Sequence, residues 1–281
     1  MKILITGAAG QLGQAMTARL SAGHEVTTWT RADVDLTRHQ DVRNAIRTLG
    51  PEAIINCASY NQVDAAEDEQ VLALEVNAMV VGTLARAATE LDAVLVHYST
   101  DFVFAGTAST PYTEADQPEP RSVYAQSKLV GEWLAADAPK HYVLRVESLF
   151  GGPHRRSSID RIADAVRNGQ PAPVFRDRIV SPSFVVDVAD ASAFMLETTP
   201  EWGLYHCVNS GHASWLAVGE EVVRRLGKSE ALLKPMSVND VNLRAPRPQY
   251  AALSNERLAK TGYLMPSWQD ALGRYLSANN S

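Results

Sequence analysis

The fold of this chain is decided near its start, where residues 2–13 read KILITGAAGQLG. The apolar run from Lys2 to Thr6 predicts a buried strand, and a helical pattern begins directly after it. Between the two lies Gly-x-x-Gly-x-x-Gly, whose glycines let the backbone turn tightly and let its N–H groups approach an anion. We therefore expect a pyrophosphate to rest on the positive end of the helix, with contacts from Gly7, Gly10, Gln11, Leu12 and Gly13. This spacing is one residue longer than the dinucleotide fingerprint Gly-x-Gly-x-x-Gly, and a plain glycine-rich turn is the alternative.

From this turn onward, short apolar runs alternate with helix-like segments. We predict strands at residues 2–6, 25–29, 53–58, 93–99 and 142–147, and helices at residues 12–20, 42–49, 65–90 and 124–136. This alternation predicts an α/β fold of the Rossmann type, a doubly wound parallel sheet covered by helices on both faces. Ligands of such sheets bind beyond the carboxyl ends of the strands, which is where the glycine turn lies.

The alternation weakens after Gly151-Gly152-Pro153, where proline-rich and charged segments begin. We predict a dinucleotide-binding domain over residues 1–150, rejoined by a strand at residues 204–209, and a smaller substrate-binding lobe over most of residues 151–281. The segment 106–121 carries three prolines and predicts a long loop beside the carboxyl end of a strand, as substrate-facing loops often are.

Composition narrows the class of protein. With 281 residues, of which 46% are hydrophobic, the chain can bury a large core. Its formal net charge of −6 argues against nucleic-acid binding. Cys57 and Cys207 lie far apart, so the sequence predicts neither a disulfide framework nor a metal site. No signal peptide and no apolar run of membrane-spanning length is recognised, so we expect a cytoplasmic protein that does not bind membranes.

The end of the second predicted strand bears on the choice of coenzyme. An acidic residue there would hold the ribose hydroxyl of NAD, but this chain has Arg31, which suits the 2′-phosphate of NADP. The sequence therefore favours NADPH, while nearby Asp33 leaves NADH use open and a solvated surface arginine is the alternative for Arg31. Further predicted coenzyme contacts are Asp35 and Leu36 at the adenine, Cys57, Ala58 and Ser59 beneath the coenzyme, and Tyr124 and Lys128 beside the nicotinamide.

Tyr124 and Lys128 are four residues apart in a predicted helix, a spacing that places both on one face. Thr100 ends another predicted strand, so its hydroxyl should face the same crevice as the glycine turn. A phenol with a pKa near ~10 is a poor acid near neutrality, and we expect the Lys128 ammonium and the positive charge of the oxidised nicotinamide to lower that pKa. Tyr124 would then protonate a ketone oxygen during hydride transfer while Thr100 donates a hydrogen bond to it. An inert pair on the helix surface is the alternative.

These residues lie in motifs that resemble the extended short-chain dehydrogenase/reductase family, and within it the dTDP-4-dehydrorhamnose reductases. The motifs are Asn56–Ala58, Val63–Glu67, Val76–Ala78, Val96–Gly106, Pro111–Glu114, Ser122–Glu132, Arg247-Pro248, Leu253 and Pro266–Leu272. The resemblance implies reduction of the C4 ketone of a nucleotide-linked 6-deoxysugar by NADPH or NADH, with Thr100, Tyr124 and Lys128 as the catalytic set. It also implies that Val63 and Asp101 lie near the sugar and that Arg247 shapes the nucleotide side, and we add Phe102 and Leu149 to the expected substrate contacts.

The sequence departs from this family's pattern after the fifth predicted strand. The family commonly reads Arg-Thr-Ser-Trp there, with the aromatic ring against the sugar, whereas this chain reads Arg145-Val146-Glu147-Ser148-Leu149. Leu149 cannot stack as an indole would, and Glu147 places a carboxyl group near the crevice, so the identity of the sugar is open. The basic segment 154–156 could supply cations for a diphosphate, with a solvated loop as the equal alternative.

Other functions of this fold remain to be weighed. A nucleotide-sugar dehydratase needs an Asp-Glu pair after the threonine, and here Phe102 follows Asp101. A 4-epimerase with tightly held NAD would use the same Tyr–Lys pair, and a noncatalytic NADP-binding regulatory subunit would use neither. The sequence leaves the oligomeric state open, with a homodimer among the candidates.

Overall fold

The structure, a computed structural model, describes residues 1–279. Its strands are β1 Lys2–Thr6, β2 Glu25–Trp29, β3 Ala53–Asn56, β4 Val94–Thr100, β5 His141–Val146, β6 Leu149–Phe150, β7 Ala172–Phe175, β8 Ile179–Val180, β9 Ser183–Phe184, β10 Gly203–His206, β11 Ala213–Ser214 and β12 Leu233–Met236. Its helices are α1 Gln11–Leu20, α2 His39–Leu49, α3 Gln70–Leu74, α4 Val80–Glu90, α5 Val123–Ala135, α6 Ser158–Arg167, α7 Val185–Thr198, α8 Trp215–Leu226, α9 Glu256–Lys260 and α10 Trp268–Ala278.

Six strands form one parallel sheet in the order β10-β5-β4-β3-β1-β2. The chain builds outward from β1 to β2 and then crosses to β3 on the other side of β1. The topological switch point therefore lies between β1 and β3, the place where such sheets bind nucleotides. The predicted fold class, an α/β Rossmann-type sheet, is confirmed.

Successive side chains of the buried strands point to opposite faces of the sheet and pack in two cores, one on each face. Ile3 and Ile5 pack with α1 and α7 on one face. Leu4, between them, packs with α2 and α4 on the other face. Because both faces are covered, the strands read as continuous apolar runs rather than as an alternating pattern, and this property made them recognisable in the sequence.

The second half of the chain builds a separate small core and also returns to the large sheet. Helices α6, α8 and α10 and three two-stranded sheets enclose this core, which includes Phe150, Trp215 and Trp268. Helix α7 instead packs on α1, and β10 pairs with β5 at Leu204↔Val143. The division of the chain at residue 151 into a dinucleotide-binding domain and a substrate lobe stays a prediction.

The helical segment Gln70–Glu90 joins α3 to α4 through a π-helical turn, Glu75–Met79. By length and composition this segment is apolar enough to cross a membrane, which the sequence reading overlooked, and 61% of its most apolar window is buried in the fold. Core helices of globular proteins have the same properties. The π-helical turn places Asn77 fully inside, where its side chain joins a polar network described below.

Candidate functional site

The glycine turn, residues 7–13, is shaped so that side chains are excluded where the backbone must come close. Gly7 has φ of +65°, and a Cβ there would lie 2.5 Å from the Ala58 nitrogen. A Cβ at Gly13 would lie 2.4 Å from the Gly7 oxygen. Gly10 precedes α1 and gives it no side-chain cap, and the first turn of α1 has no acidic residue. The helix therefore presents free N–H groups and its positive end to the crevice, which fits the expected pyrophosphate.

The end of β2 leaves an arginine free of carboxylate partners. Arg31 is exposed and forms no ion pair within the described residues 1–279. The nearby Asp33 carboxylate accepts hydrogen bonds from the Thr30 nitrogen and hydroxyl at 2.8 and 2.7 Å, which lower the pKa of Asp33. Asp35 is held in the same way by Thr37, and Leu36 packs against the core beneath α2. Asp33 is thus occupied locally, whereas Arg31 is available to an anion.

The segment after β3 lies against the glycine turn and is held by two buried asparagines. Asn56 Oδ1 accepts from the Ala58 nitrogen at 3.1 Å, and Asn77 Oδ1 accepts from Ser59 Oγ at 3.1 Å. Burial raises the pKa of the Cys57 thiol, so this thiol is inert. Both asparagines lie in the sequence motifs given above, but the sequence predicts no role for either.

Tyr124 and Lys128 lie in the first turns of α5, which Ser122 caps by accepting from the Ala125 nitrogen. Lys128 is almost fully buried, and its Nζ donates to the Tyr98 carbonyl of β4 at 2.5 Å. Burial lowers the pKa of Lys128 to about 8, while the nearby Glu132 carboxylate acts in the opposite direction. The helix and the neighbouring strand together fix the ammonium below the crevice.

Thr100, at the end of β4, brings its hydroxyl to both a carboxylate and the phenol of Tyr124. Its Oγ1 donates to Asp101 Oδ1 at 2.9 Å and accepts from the Phe102 nitrogen at 3.2 Å. Burial raises the pKa of Tyr124 to about 12, and the nearby Thr100 hydroxyl only partly opposes this rise. The expectation that Lys128 lowers this pKa is wrong for the protein groups alone, because desolvation of the phenolate dominates and Lys128 is bonded to Tyr98.

Beside these three residues lies a cluster that we call the substrate end and define as Asp101, Phe102, Glu147, Arg178 and Arg247. Its two carboxyl groups are buried, and its two arginines are half-buried. The Phe102 ring meets Tyr124 edge to face, with ring centres 5.6 Å apart. The guanidinium carbons of Arg178 and Arg247 lie 5.6 and 5.8 Å from the centre of the Phe102 ring. Sequence reasoning missed Arg178, since it lies far along the chain in no recognisable motif.

The remaining predicted substrate residues are distributed around this cluster. Arg247 Nη2 binds Asp64 Oδ2 at 2.8 Å, which ties the C-terminal segment to the loop that begins with the half-buried Val63. Leu149 lies in β6, pairs with Ser183 and packs against the main core. Its side chain therefore stabilises the fold, and its predicted contact with substrate stays a prediction.

The basic segment 154–156 lies over the glycine turn. His154 Nε2 is 2.8 Å from the Ala9 oxygen and 3.1 Å from Gln14 Nε2. Arg155 pairs with Asp164. This placement associates the segment with the glycine turn. Among residues 1–279, no group of three or more His, Cys, Asp or Glu side chains is arranged to hold a metal ion.

Comparison with known proteins gives a consistent result. The family model described as RmlD substrate binding domain matches residues 1–281. A Streptomyces antibioticus protein named probable dTDP-4,6-dihydroxy-2-methyloxan-3-one 4-ketoreductase is 35% identical over 97% of this chain and 91% of that protein. A crystal structure of a dTDP-4-dehydrorhamnose reductase from Clostridium acetobutylicum is 31% identical, with a TM-score of 0.94 and 100% of each chain covered. The Bacillus anthracis dTDP-4-dehydrorhamnose reductase in complex with NADP is 28% identical, with a TM-score of 0.93 and 99% of each chain covered.

Proposed function

This chain belongs to the family described as RmlD substrate binding domain, and from that membership we propose that it is an NADPH-preferring reductase of the 4-keto group of a nucleotide-linked deoxysugar. The observation that carries the proposal is that Tyr124 lies beside Thr100 at the carboxyl end of β4, while Lys128, one turn along α5 from Tyr124, is bonded to the same strand. The glycine turn opens on the same edge of the sheet. As an enzyme the protein is an NAD(P)-dependent oxidoreductase.

The residues present fit a pyridine dinucleotide. The glycine turn excludes side chains where a pyrophosphate would approach, and the uncapped start of α1 supplies N–H donors. The unpaired Arg31 suits a 2′-phosphate, and the NADP bound to the Bacillus anthracis relative supports that choice. When bound, the coenzyme supplies the hydride.

The chain's own residues supply the proton and orient the ketone. Because the pKa of Tyr124 is about 12, the phenol holds its proton at neutral pH and can donate it to a ketone oxygen as negative charge develops there. Thr100 provides a second hydrogen bond to that oxygen. Lys128 is anchored on the Tyr98 carbonyl one helical turn from Tyr124, and its proposed role is to add positive charge beside the bound coenzyme, since in the protein alone it does not offset the burial that raises the pKa of the phenol.

The proposal is tested by mixing the purified protein with NADPH and each of two substrates, dTDP-4-dehydrorhamnose and dTDP-4,6-dihydroxy-2-methyloxan-3-one. We expect oxidation of NADPH matched mole for mole by a reduced sugar. Absence of turnover with both substrates would overturn the reductase assignment. Oxidation of NADPH without formation of a reduced sugar would overturn it as well. NAD that copurifies with the protein and promotes exchange at C4 without net NADPH use would point to the 4-epimerase. A stable protein partner together with no turnover would point to the regulatory subunit.

A further inference from the structure

Asp101 and Glu147 follow directly on two paired strand ends. Thr100 of β4 lies opposite Val146 of β5 in the parallel register, so the next residue of each strand emerges at the same edge of the sheet. Asp101 is 3% exposed and Glu147 is 1% exposed. The fold thus sets two carboxyl groups side by side, out of water, at the carboxyl end of the sheet where substrates bind.

Each of these carboxyl groups has one oxygen in use and one without a partner. Asp101 Oδ1 accepts from Thr100 Oγ1 at 2.9 Å, and Glu147 Oε2 accepts from the Ser181 nitrogen at 2.5 Å. Asp101 Oδ2 and Glu147 Oε1 are buried and have no hydrogen-bond partner within residues 1–279. Buried polar atoms are nearly always bonded, so two such oxygens on neighbouring strands require an explanation.

The charges that face this pair do not neutralise it. Arg178 is the guanidinium that attracts both carboxylates, and its own Nε is buried without a partner. The other facing groups are the phenols of Tyr124 and Tyr250, together with Arg247 beyond Arg178. Burial raises the pKa of Asp101 to about 6 and that of Glu147 well above its usual range. With one cation for two acids, a hydroxyl group suits the site well, since a carboxyl group can accept from it or donate to it.

The order of the strands in the sheet predicts which of the two carboxyl groups, Asp101 or Glu147, lies nearer the ketone. Beginning at the glycine turn on β1, the sheet passes through β3 and β4 to β5. Thr100 on β4 lies where the ketone oxygen would be held, so Asp101 lies beside the ketone. Glu147 on β5 lies one strand farther from the glycine turn. A sugar ring that extends from the ketone along this edge would pass Asp101 first and Glu147 second.

We propose that Glu147 is a specificity-determining residue that acts with Asp101: their unpartnered oxygens bind hydroxyl groups on the two ring carbons between the ketone and the anomeric carbon. Asp101 takes the hydroxyl next to the ketone, and Glu147 takes the following one. The inference rests on the proposed function and deepens it, because it selects a 4-keto sugar with both hydroxyls over a sugar that lacks the second.

The two substrates named above differ in this feature. A dehydrorhamnose carries a hydroxyl on both ring carbons between the ketone and the anomeric carbon, whereas the 4,6-dihydroxy-2-methyloxan-3-one carries one, next to the ketone. We expect the natural protein to favour dTDP-4-dehydrorhamnose by about 10- to 100-fold in kcat/KM, the value of one hydrogen bond to a charged or buried polar group.

The test is the ratio of the two kcat/KM values in variants of Glu147. Glu147→Met, of similar length but without a polar end, should bring the ratio close to one, chiefly by slowing reduction of dTDP-4-dehydrorhamnose. Glu147→Gln should keep most of the preference, because its amide oxygen can keep the bond from the Ser181 nitrogen while its NH2 group, in the place of Oε1, donates to the sugar hydroxyl. If the Met variant does not fold, Glu147→Ser removes the same contact with a smaller, polar side chain. NADPH affinity and the melting temperature are measured for each variant.

A matched control is Asp187→Asn, since Asp187 is an equally buried carboxylate bound to Asn209 and Arg274 away from the crevice. This variant should leave the ratio unchanged whatever it does to stability. If Glu147→Met slows both substrates by the same factor, Glu147 is only structural and the inference is overturned. Equal rates on both substrates by the natural protein overturn it as well, while the reductase function stands. Failure of the natural protein on both substrates removes the proposed function itself.

Discussion

At the glycine turn the crevice presents backbone N–H groups and the positive end of α1, whereas at the substrate end it presents buried ionisable side chains. The first surface comes from one continuous run, residues 7–13, in which the decisive positions carry no side chain at all. The second comes from segments as distant in sequence as Asp101, Glu147, Arg178 and Arg247. Backbone dipoles are fixed by the fold and suit any pyrophosphate, while buried charges depend on identity and protonation.

This contrast indicates where the molecule can vary. Replacing a residue in the glycine turn alters the path of the backbone itself. A change at the substrate end alters which hydrogen-bond donors and acceptors meet the ligand, with the sheet left intact. We therefore expect changes at the first end to act on folding and coenzyme affinity together, and changes at the second to act on the choice of sugar.

The largest effect is expected where the two ends meet, at Tyr124. Tyr124→Phe removes the proton donor but keeps the ring that meets Phe102 edge to face. Turnover should fall roughly 10²- to 10⁴-fold, because general acid catalysis is lost. Coenzyme affinity, measured by titration of NADPH fluorescence, should change little.

Unchanged turnover in this variant would refute the role of the phenol. A parallel loss of NADPH affinity would show that Tyr124 acts in coenzyme binding, like the glycine turn, rather than in proton transfer. The functional boundary between the two ends would then not lie at Tyr124.

Gly7→Ala tests whether the first end depends on an absent side chain. The added Cβ would sit 2.5 Å from the Ala58 nitrogen in a residue with φ of +65°. Positive φ alone costs on the order of 1–3 kcal/mol for a residue other than glycine, and the clash adds to it. We expect a lower free energy of unfolding in urea and weaker NADPH binding. Gly23→Ala is the control, since nothing lies within 4 Å of its Cβ, and equal effects of both changes would contradict the argument.

Arg31→Ala tests the contact predicted between this arginine and the 2′-phosphate of NADPH. Loss of a charge-assisted contact with a 2′-phosphate should weaken NADPH by about 10- to 100-fold and leave NADH nearly unchanged. Arg38→Ala is the matched control, because Arg38 is also exposed but lies 3.8 Å from Asp35. Equal losses for both coenzymes in the Arg31 variant would reject the assignment.

The sequence predicts the strands and the glycine turn better than it predicts the substrate end. Strand β1 occupies the predicted residues 2–6, because a buried parallel strand is a continuous apolar run bounded by turn residues. The edge strand β2 occupies the predicted residues 25–29, where β-branched residues favour a strand although the run is not wholly apolar. Strand β3 ends at Asn56 rather than at the predicted residue 58, since Asn56 turns to bind the Ala58 nitrogen. Local backbone rules suffice wherever the interacting residues are close in sequence.

At the substrate end those rules are insufficient. The spacing of Tyr124 and Lys128 indicated a shared helix face, but not that Lys128 would be bonded to Tyr98, a contact made across the packed helix and strand. Arg178 meets Phe102 only because β8 and the end of β4 come together in the folded chain. The direction of the Tyr124 pKa shift was missed for the same reason, since burial of the phenol is a property of the whole crevice.

The smallest predicted effect is a dependence on pH that belongs to the substrate end and to Lys128. Burial raises the pKa of Asp101 to about 6 and lowers that of Lys128 to about 8. If the Asp101 carboxylate accepts a sugar hydroxyl and the Lys128 ammonium supports the phenolate, kcat/KM should rise as pH passes about 6. It should then fall about tenfold between about pH 7.5 and 9.

The stability contributions have definite signs. The folded pKa of Asp101 exceeds its unfolded value, so its contribution to folding is fully present below about pH 4 and is lost as pH rises through about 6. The pKa of Lys128 is lower in the folded state than in the unfolded state. Burial of this ammonium therefore costs stability below about pH 8, and the folded state becomes more stable as pH rises toward the ordinary lysine pKa. Asp101→Asn should remove the acid limb of the kcat/KM profile without altering the pH dependence of NADPH binding. If the fall in kcat/KM at low pH persists in this variant, Asp101 is not the group that titrates. If NADPH affinity falls over the same pH range, the titrating group acts on the glycine-turn end as well as on the substrate end.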